Sequence, residues 1–182
     1  MEREKQLRAV TIGEPQVVEG AIELVDYDPA WPEVFAREAA RITGALGEQV
    51  LLLEHVGSTS VPGLAAKPII DVLLGVTDSA DEAAYGPALE AAGYLLRIRE
   101  PDWYEHRMFE GRRPEVNLHV FSEGCEEIER MLAFREQLRH SRAERDRYET
   151  VKRGLAQRRW KYVQDYADAK GAVVEEILAR AT

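Results

Sequence analysis

The segment Pro68-Ile69-Ile70-Asp71-Val72-Leu73-Leu74-Gly75-Val76 is apolar over the length of a buried strand, apart from one carboxylate, Asp71. A run this short and this rich in Ile, Val and Leu has the signature of a central strand covered on both faces. Taking an ionised carboxylate out of water costs several kcal/mol unless a hydrogen bond, a counter-charge or a cation compensates it. Asp71 therefore opens into a cleft or is neutralised by a partner. The plainer alternative is an aspartate at a strand end, capping a neighbouring loop.

The elements around this strand follow from periodicity and punctuation. Residues 49–56 (QVLLLEHV) form a second apolar run of strand length, which ends in the turn Gly57-Ser58-Thr59-Ser60. Upstream, residues 1–20 lack a period and read as a loose lead-in, while 21–25 alternate like a short strand. Asp28-Pro29 reads as an N-cap with proline at the first helical position, opening a helix with Trp31, Val34, Phe35, Ile42 and Leu46 on one side. Gly47 stops it. Downstream, Ser79 and Asp81 cap a helix ending at Gly93, and residues 94–99, 103–109 and 115–121 are predicted strands. From Glu126 onward apolar residues recur at three- and four-residue steps, which predicts two or three helices. The expected organisation is a lead-in over 1–20, an α+β core over 21–125 and a helical region over 126–182 packed on it.

The 182 residues suffice for one well-buried core. Cys125 is the lone cysteine, which excludes an internal disulfide and a cysteine-ligated zinc finger and fits a reducing cytoplasm. No stretch approaches the ~20 apolar residues of a membrane span, so no membrane partner is expected. The net charge is −9, distributed unevenly: residues 1–125 carry 11 basic and 22 acidic groups, and 126–182 carry 13 and 11. Overall acidity argues against non-specific binding along DNA, because phosphate neutralisation needs a continuous basic surface. The basic C-terminal part still leaves room for a local anion site, or for a protein-interaction surface on its helices.

Spacing ties the turn to the buried aspartate. A strand running into a glycine and three hydroxyl residues can aim backbone N–H groups and hydroxyls at a phosphate. Ser58 lies 13 residues before Asp71, with Lys67 between them. A phosphate-gripping turn after one strand and a metal-binding carboxylate on the next would gather polyphosphate, a divalent cation and a point charge in one cleft.

The block His55-Val56-Gly57-Ser58-Thr59-Ser60-Val61-Pro62-Gly63-Leu64-Ala65-Ala66-Lys67-Pro68-Ile69-Ile70-Asp71 resembles the signature of the GrpB-like proteins, a group placed in the nucleotidyltransferase superfamily. The likeness extends over roughly residues 20–180, through Asp26-Tyr27-Asp28-Pro29-Ala30-Trp31, His106-Arg107, Leu118-His119-Val120, Phe134-Arg135 and Tyr148 with Lys152. It implies a nucleotidyltransferase-like mixed sheet with flanking helices. It further implies a Gly-Ser turn that grips nucleotide phosphates, and carboxylates on two strands that hold two divalent metals. Gly57, Ser58 and Asp71 match that pattern. The residue two beyond Asp71 is Leu73, and the later strand offers Asn117 and His119 where the third carboxylate is expected.

On this basis Asp71, His119 and His106 are the catalytic candidates, and Asp71 with His119 the candidate ligands of a Mg²⁺ or Mn²⁺ ion, with Glu54 or His106 in support. Gly57, Ser58, Thr59, Ser60, Lys67, Arg135 and Lys152 are the candidate phosphate-binding residues for a nucleotide or nucleotide-containing small molecule. Arginine suits phosphate because its planar fork binds two oxygens at once, although the stripe Arg135, Arg139, Arg142 and Arg145 also fits a solvated helix face. His55, beside the turn, is expected to fix the loop. Loss of two of the three carboxylates keeps a second expectation open, a catalytically silent module that binds a nucleotide or a partner.

Overall fold

The computed structural model describes residues 2–18 and 20–181. Its five strands, β1 (Leu52–Val56), β2 (Ile70–Val76), β3 (Leu95–Glu100), β4 (His106–Arg112) and β5 (Glu115–Ser122), form one sheet in the order β1-β2-β5-β4-β3. The central pair β2–β5 is parallel and the other pairs are antiparallel, so the sheet is mixed. Helices α1 (Glu2–Val10), α2 (Trp31–Leu46), α3 (Glu82–Ala91), α4 (Glu126–His140), α5 (Arg142–Ala156), α6 (Val163–Asp168) and α7 (Gly171–Ala179) flank it. This is the expected α+β architecture with helices gathered at the C-terminal end.

The two-residue period of a strand decides what each face carries. Ile70, Val72, Leu74 and Val76 of β2, with Val116, Leu118 and Val120 of β5, pack against α2 and α3 through Trp31, Ile42, Leu46, Tyr85 and Leu89. The opposite face receives Asp71 and Leu73 from β2, Asn117, His119 and Phe121 from β5, and His106, Met108 and Glu110 from β4. On that face Ile128 of α4 covers Val56, Leu73 and Phe121. α4, α5 and α7 share a second cluster with Val61 and Leu64 from the connection between β1 and β2. The middle of the face stays open as a cleft bounded by α1, α5, α6 and the turn after β1.

Several boundaries differ from expectation. Residues 2–10 form α1 rather than a loose lead-in; its Leu7 is buried, and Thr11 bridges to Ile98 of β3. Residues 21–25 form no strand, only a two-bond bridge between Val25 and Ala66, at 2.9 Å in each direction. Asp28 Oδ1 accepts from Ala30 N at 2.8 Å, but the helix starts at Trp31, so Pro32 rather than Pro29 occupies its first turn. Residues 47–49 coil into a tight helical turn, which shortens β1 to five residues. The C-terminal region holds four helices instead of two or three, because the chain breaks at 141, 157–162 and 169–170, none of which contains proline or glycine.

Candidate functional site

The turn after β1 and the carboxylate of β2 touch. Gly57 lies at φ 69°, and a Cβ placed on it would fall 2.3 Å from Asp71 Oδ2. Only glycine permits that approach and that backbone conformation together. The Asp71 side chain is 27 % exposed, so it opens into the cleft. On its other side Asn117 Nδ2 donates to Asp71 Oδ1 at 3.2 Å, and His119 Nε2 lies 3.6 Å from the same oxygen. The parallel register of β2 and β5, with Asp71 opposite Asn117 and Leu73 opposite His119, produces this grouping.

The hydroxyls of the turn divide their work. Thr59 Oγ1 donates to Ile69 O at 3.0 Å and meets His55 Nε2 at 3.0 Å, while Ser60 Oγ donates to Gly57 O at 2.6 Å. These two hold the loop. The His55 ring stacks on Phe35 with centroids 4.8 Å apart and takes the expected loop-fixing place. Ser58 faces the cleft, where its Oγ accepts from Lys152 Nζ at 2.9 Å and its hydroxyl also meets Tyr148.

Lys152 is 2 % exposed and also donates to Ala65 O. Burial, aided by the charge of Lys170, pushes its ammonium down to about 7. Lys67 and Lys170 line the same cleft, and burial lowers both, with Asp71 pulling each the other way. Among the described residues Lys161 forms a salt bridge, to Glu4, whereas Lys67, Lys152 and Lys170 have no carboxylate within salt-bridge reach. Lys170 instead lies 4.7 Å over the Tyr166 ring. The cleft spans about 850 Å³, with Trp103 and Tyr166 in its walls.

At the far end of the cleft the antiparallel pairing of β4 with β5 brings the two predicted histidines together. His106 Nε2 lies 3.0 Å from His119 Nδ1, and His106 Nδ1 lies 2.7 Å from Glu100 Oε2. His106 is buried between Phe121 and Trp103, and burial pushes it down to about 4 against the pull of Glu100.

Comparison with known proteins adds one decisive finding: a family model described as GrpB protein matches residues 21–180. The chain belongs to the GrpB family. It is 58% identical, over 98% of its length and 91% of the relative's, to a UPF0157 protein of Halalkalibacterium halodurans. The crystal structure of conserved protein GrpB from Enterococcus faecalis superposes with a TM-score of 0.76 at 34% identity, covering 87% of this chain and 96% of that one. A dephospho-CoA kinase of Mycolicibacterium paratuberculosis is 29% identical over 79% of this chain, which spans 42% of that protein.

In this GrpB-family chain the structure brings Gly57, Ser58, Lys67, Asp71, His106, His119 and Lys152 into one cleft. It does not bring Arg135 there. Arg135 donates to Glu54 Oε2 at 2.7 Å and His55 O at 2.9 Å, in a separate groove behind the turn, and this also removes Glu54 from the neighbourhood of Asp71. Thr59 also lines the cleft, but its hydroxyl and that of Ser60 are consumed inside the loop. Sequence reasoning missed Lys170 and Glu100. No local signal marked Lys170, which sits in the connection between α6 and α7, and Glu100 at the end of a strand reads as an exposed charge.

The donor set does not fit a pair of divalent metals. Two-metal sites need bridging carboxylates to offset cation repulsion. Leu73 is fully buried beneath α4, Asn117 faces Asp71 where a carboxylate would be required, and three lysines add positive charge around it. Among the described residues no group of three or more His, Cys, Asp or Glu side chains could hold a metal ion. Nor is any described helix long and apolar enough to cross a membrane.

Proposed function

We propose that this chain binds a nucleotide, or a small molecule that contains one, through its phosphates in the Asp71 cleft. One observation carries this reading: Lys152 donates to the Ser58 hydroxyl in the cleft that Lys67 and Lys170 also line, and among the described residues none of the three has a carboxylate in salt-bridge reach. Lys152 is buried and Lys67 and Lys170 are half-buried, with Glu115, Glu149, Asp71 and Asp168 acting on them only from beyond salt-bridge distance, and a polyphosphate would supply the closer counter-charge. Ser58, held by Lys152, can turn its hydroxyl from Tyr148 to a phosphate oxygen. The cleft volume of about 850 Å³ lies within the usual range for small-molecule sites, and the walls include aromatic rings that can take a base. The superfamily resemblance, and the likeness to part of a dephospho-CoA kinase, support a ligand that contains a nucleotide.

Titration calorimetry with ATP and with pyrophosphate, in buffer containing a chelator and again with Mg²⁺ or Mn²⁺, tests the proposal. Saturable binding to the wild type is expected in chelator, weakened at least tenfold in the variant carrying both Lys152→Met and Lys170→Met. Absence of binding, or equal affinity in the double variant, would overturn it.

A second reading, nucleotidyl transfer assisted by one divalent ion, is favoured by the approach of His119 Nε2 to Asp71 Oδ1. The chemistry of these donors allows one cation at most, with the lysines standing in for the charge of a second. Labelled triphosphates offered with a panel of hydroxyl acceptors decide between binding and transfer. Turnover abolished by Asp71→Asn supports transfer; binding without turnover supports the silent module.

A further inference from the structure

The Glu100–His106–His119 contacts form a chain from the rim of the sheet to Asp71, and their lengths fix its polarity. Each neutral imidazole carries one N–H, and the hydrogen bond made by one nitrogen decides which nitrogen that is. At the outer end, 2.7 Å between Glu100 Oε2 and His106 Nδ1 is a short hydrogen bond to a carboxylate. That bond places the proton on His106 Nδ1. His106 Nε2 is then an acceptor, so at 3.0 Å it draws the proton of His119 to Nδ1. His119 Nε2 keeps its lone pair, and the 3.6 Å to Asp71 Oδ1 is too long for a hydrogen bond that would protonate it. The reverse polarity would set the His106 Nδ1 lone pair against the carboxylate.

We propose that Glu100 and His106 are positioning residues, a relay that holds His119 with Nδ1 protonated and its Nε2 lone pair turned into the cleft beside Asp71. Packing supports a fixed arrangement. His106 is 4 % exposed, stacked on Phe121 at 4.7 Å and met edge-on by Trp103 at 5.1 Å, so it cannot turn to offer another nitrogen. The consequence for the ligand deepens the nucleotide reading and rests on it. His119 Nε2 and Asp71 Oδ1 present two acceptors side by side, so this part of the cleft takes a hydrogen-bond donor, while Ser58 and Lys152 take phosphate. A phosphorylated ligand with a free sugar hydroxyl satisfies both.

Long-range proton–nitrogen correlation spectra of the histidine rings, recorded on the full-length, ligand-free protein near neutral pH, test the relay directly. His106 and His119 are both expected as the Nδ1–H tautomer, the minor form of histidine in water. A wild-type spectrum with His119 protonated on Nε2 would overturn the proposal, whether or not any variant folds. Glu100→Ala is expected to release the lock and move His119 to the Nε2–H form; an unchanged His119 tautomer in that variant would also overturn it. The ligand consequence is read in chelator-containing buffer by comparing ATP with its 2′,3′-dideoxy analogue. The wild type should prefer ATP at least tenfold, and Glu100→Ala should lose the preference while keeping its affinity for pyrophosphate. Equal affinities in the wild type would refute the donor-binding end. Failure of both nucleotides to bind would count against the nucleotide reading alone, since the spectrum decides the relay without any ligand.

Discussion

Replacing Gly57 by alanine would set a methyl carbon 2.3 Å from Asp71 Oδ2 and force an L-residue to φ 69°. Strain and clash together should cost at least about 2 kcal/mol, read as a lowered melting temperature and denaturation midpoint. Lys152 makes the second residue-scale prediction. Its ammonium is pushed down to about 7, and the protonated form is the one that attracts phosphate. Affinity for pyrophosphate should therefore fall as pH rises above about 7. Lys152→Met should bind roughly 10- to 100-fold more weakly, the worth of one charged hydrogen bond, and should lose that part of the pH dependence. A wild-type affinity that stays flat through neutral pH would show that Lys152 does not meet the anion.

Among the elements, α1 is loosely tied. Leu7 is its buried residue, and its polar anchors are exposed pairs such as Arg3–Asp165 at 2.8 Å and Glu4–Lys161 at 3.1 Å, which water and salt screen. Its amides are expected to exchange with solvent well before those of β2 and β5, and hydrogen exchange followed by mass spectrometry checks this. The same weakness explains why α1 was illegible in the sequence: with one buried residue it leaves no stripe of apolar positions. β2 was legible because its apolar run is buried on both faces, and Asp71 stood out as the single charge within it. The pairing of His106 with His119 could be expected once residues 103–109 and 115–121 were read as neighbouring strands. Lys170 could not be expected. Its place beside Asp71 depends on the turn between α6 and α7, where Asp168-Ala169-Lys170-Gly171 reads as an ordinary exposed connection. The arginine stripe does not run along one helix: Arg135 and Arg139 lie on α4, where they donate to Glu54, Glu136 and the carbonyls of His55 and Ser60, and Arg142 and Arg145 lie on α5.

At the scale of the whole molecule, two buried histidines tie stability to pH. Burial pushes His55 and His106 down to about 4, below the ordinary value of 6.5. Between these values the unfolded chain binds protons that the folded chain refuses, so the histidines' contribution to stability is lost as pH drops from 6.5 towards 4, and below that Glu82, held down to about 2 by Arg99 and Arg107, carries the loss further. The loss is on the order of 3 kcal/mol for each histidine, read from denaturant unfolding at a series of pH values. Equal stability at both ends of that window would show that the rings are not held neutral. The sheet gives the molecule two unlike faces, one sealed by α2 and α3 and one left open between α1, α5 and α6, and the central claim concerns what the open face holds. Crystals soaked with a nucleoside triphosphate and Mn²⁺ test it most directly. The account expects phosphate density within hydrogen-bond reach of Ser58 Oγ and Lys152 Nζ, with Lys170 alongside, and at most one manganese peak, next to Asp71. A nucleotide seated instead in the groove of Arg135 and Arg139, with the Asp71 cleft empty, would contradict it.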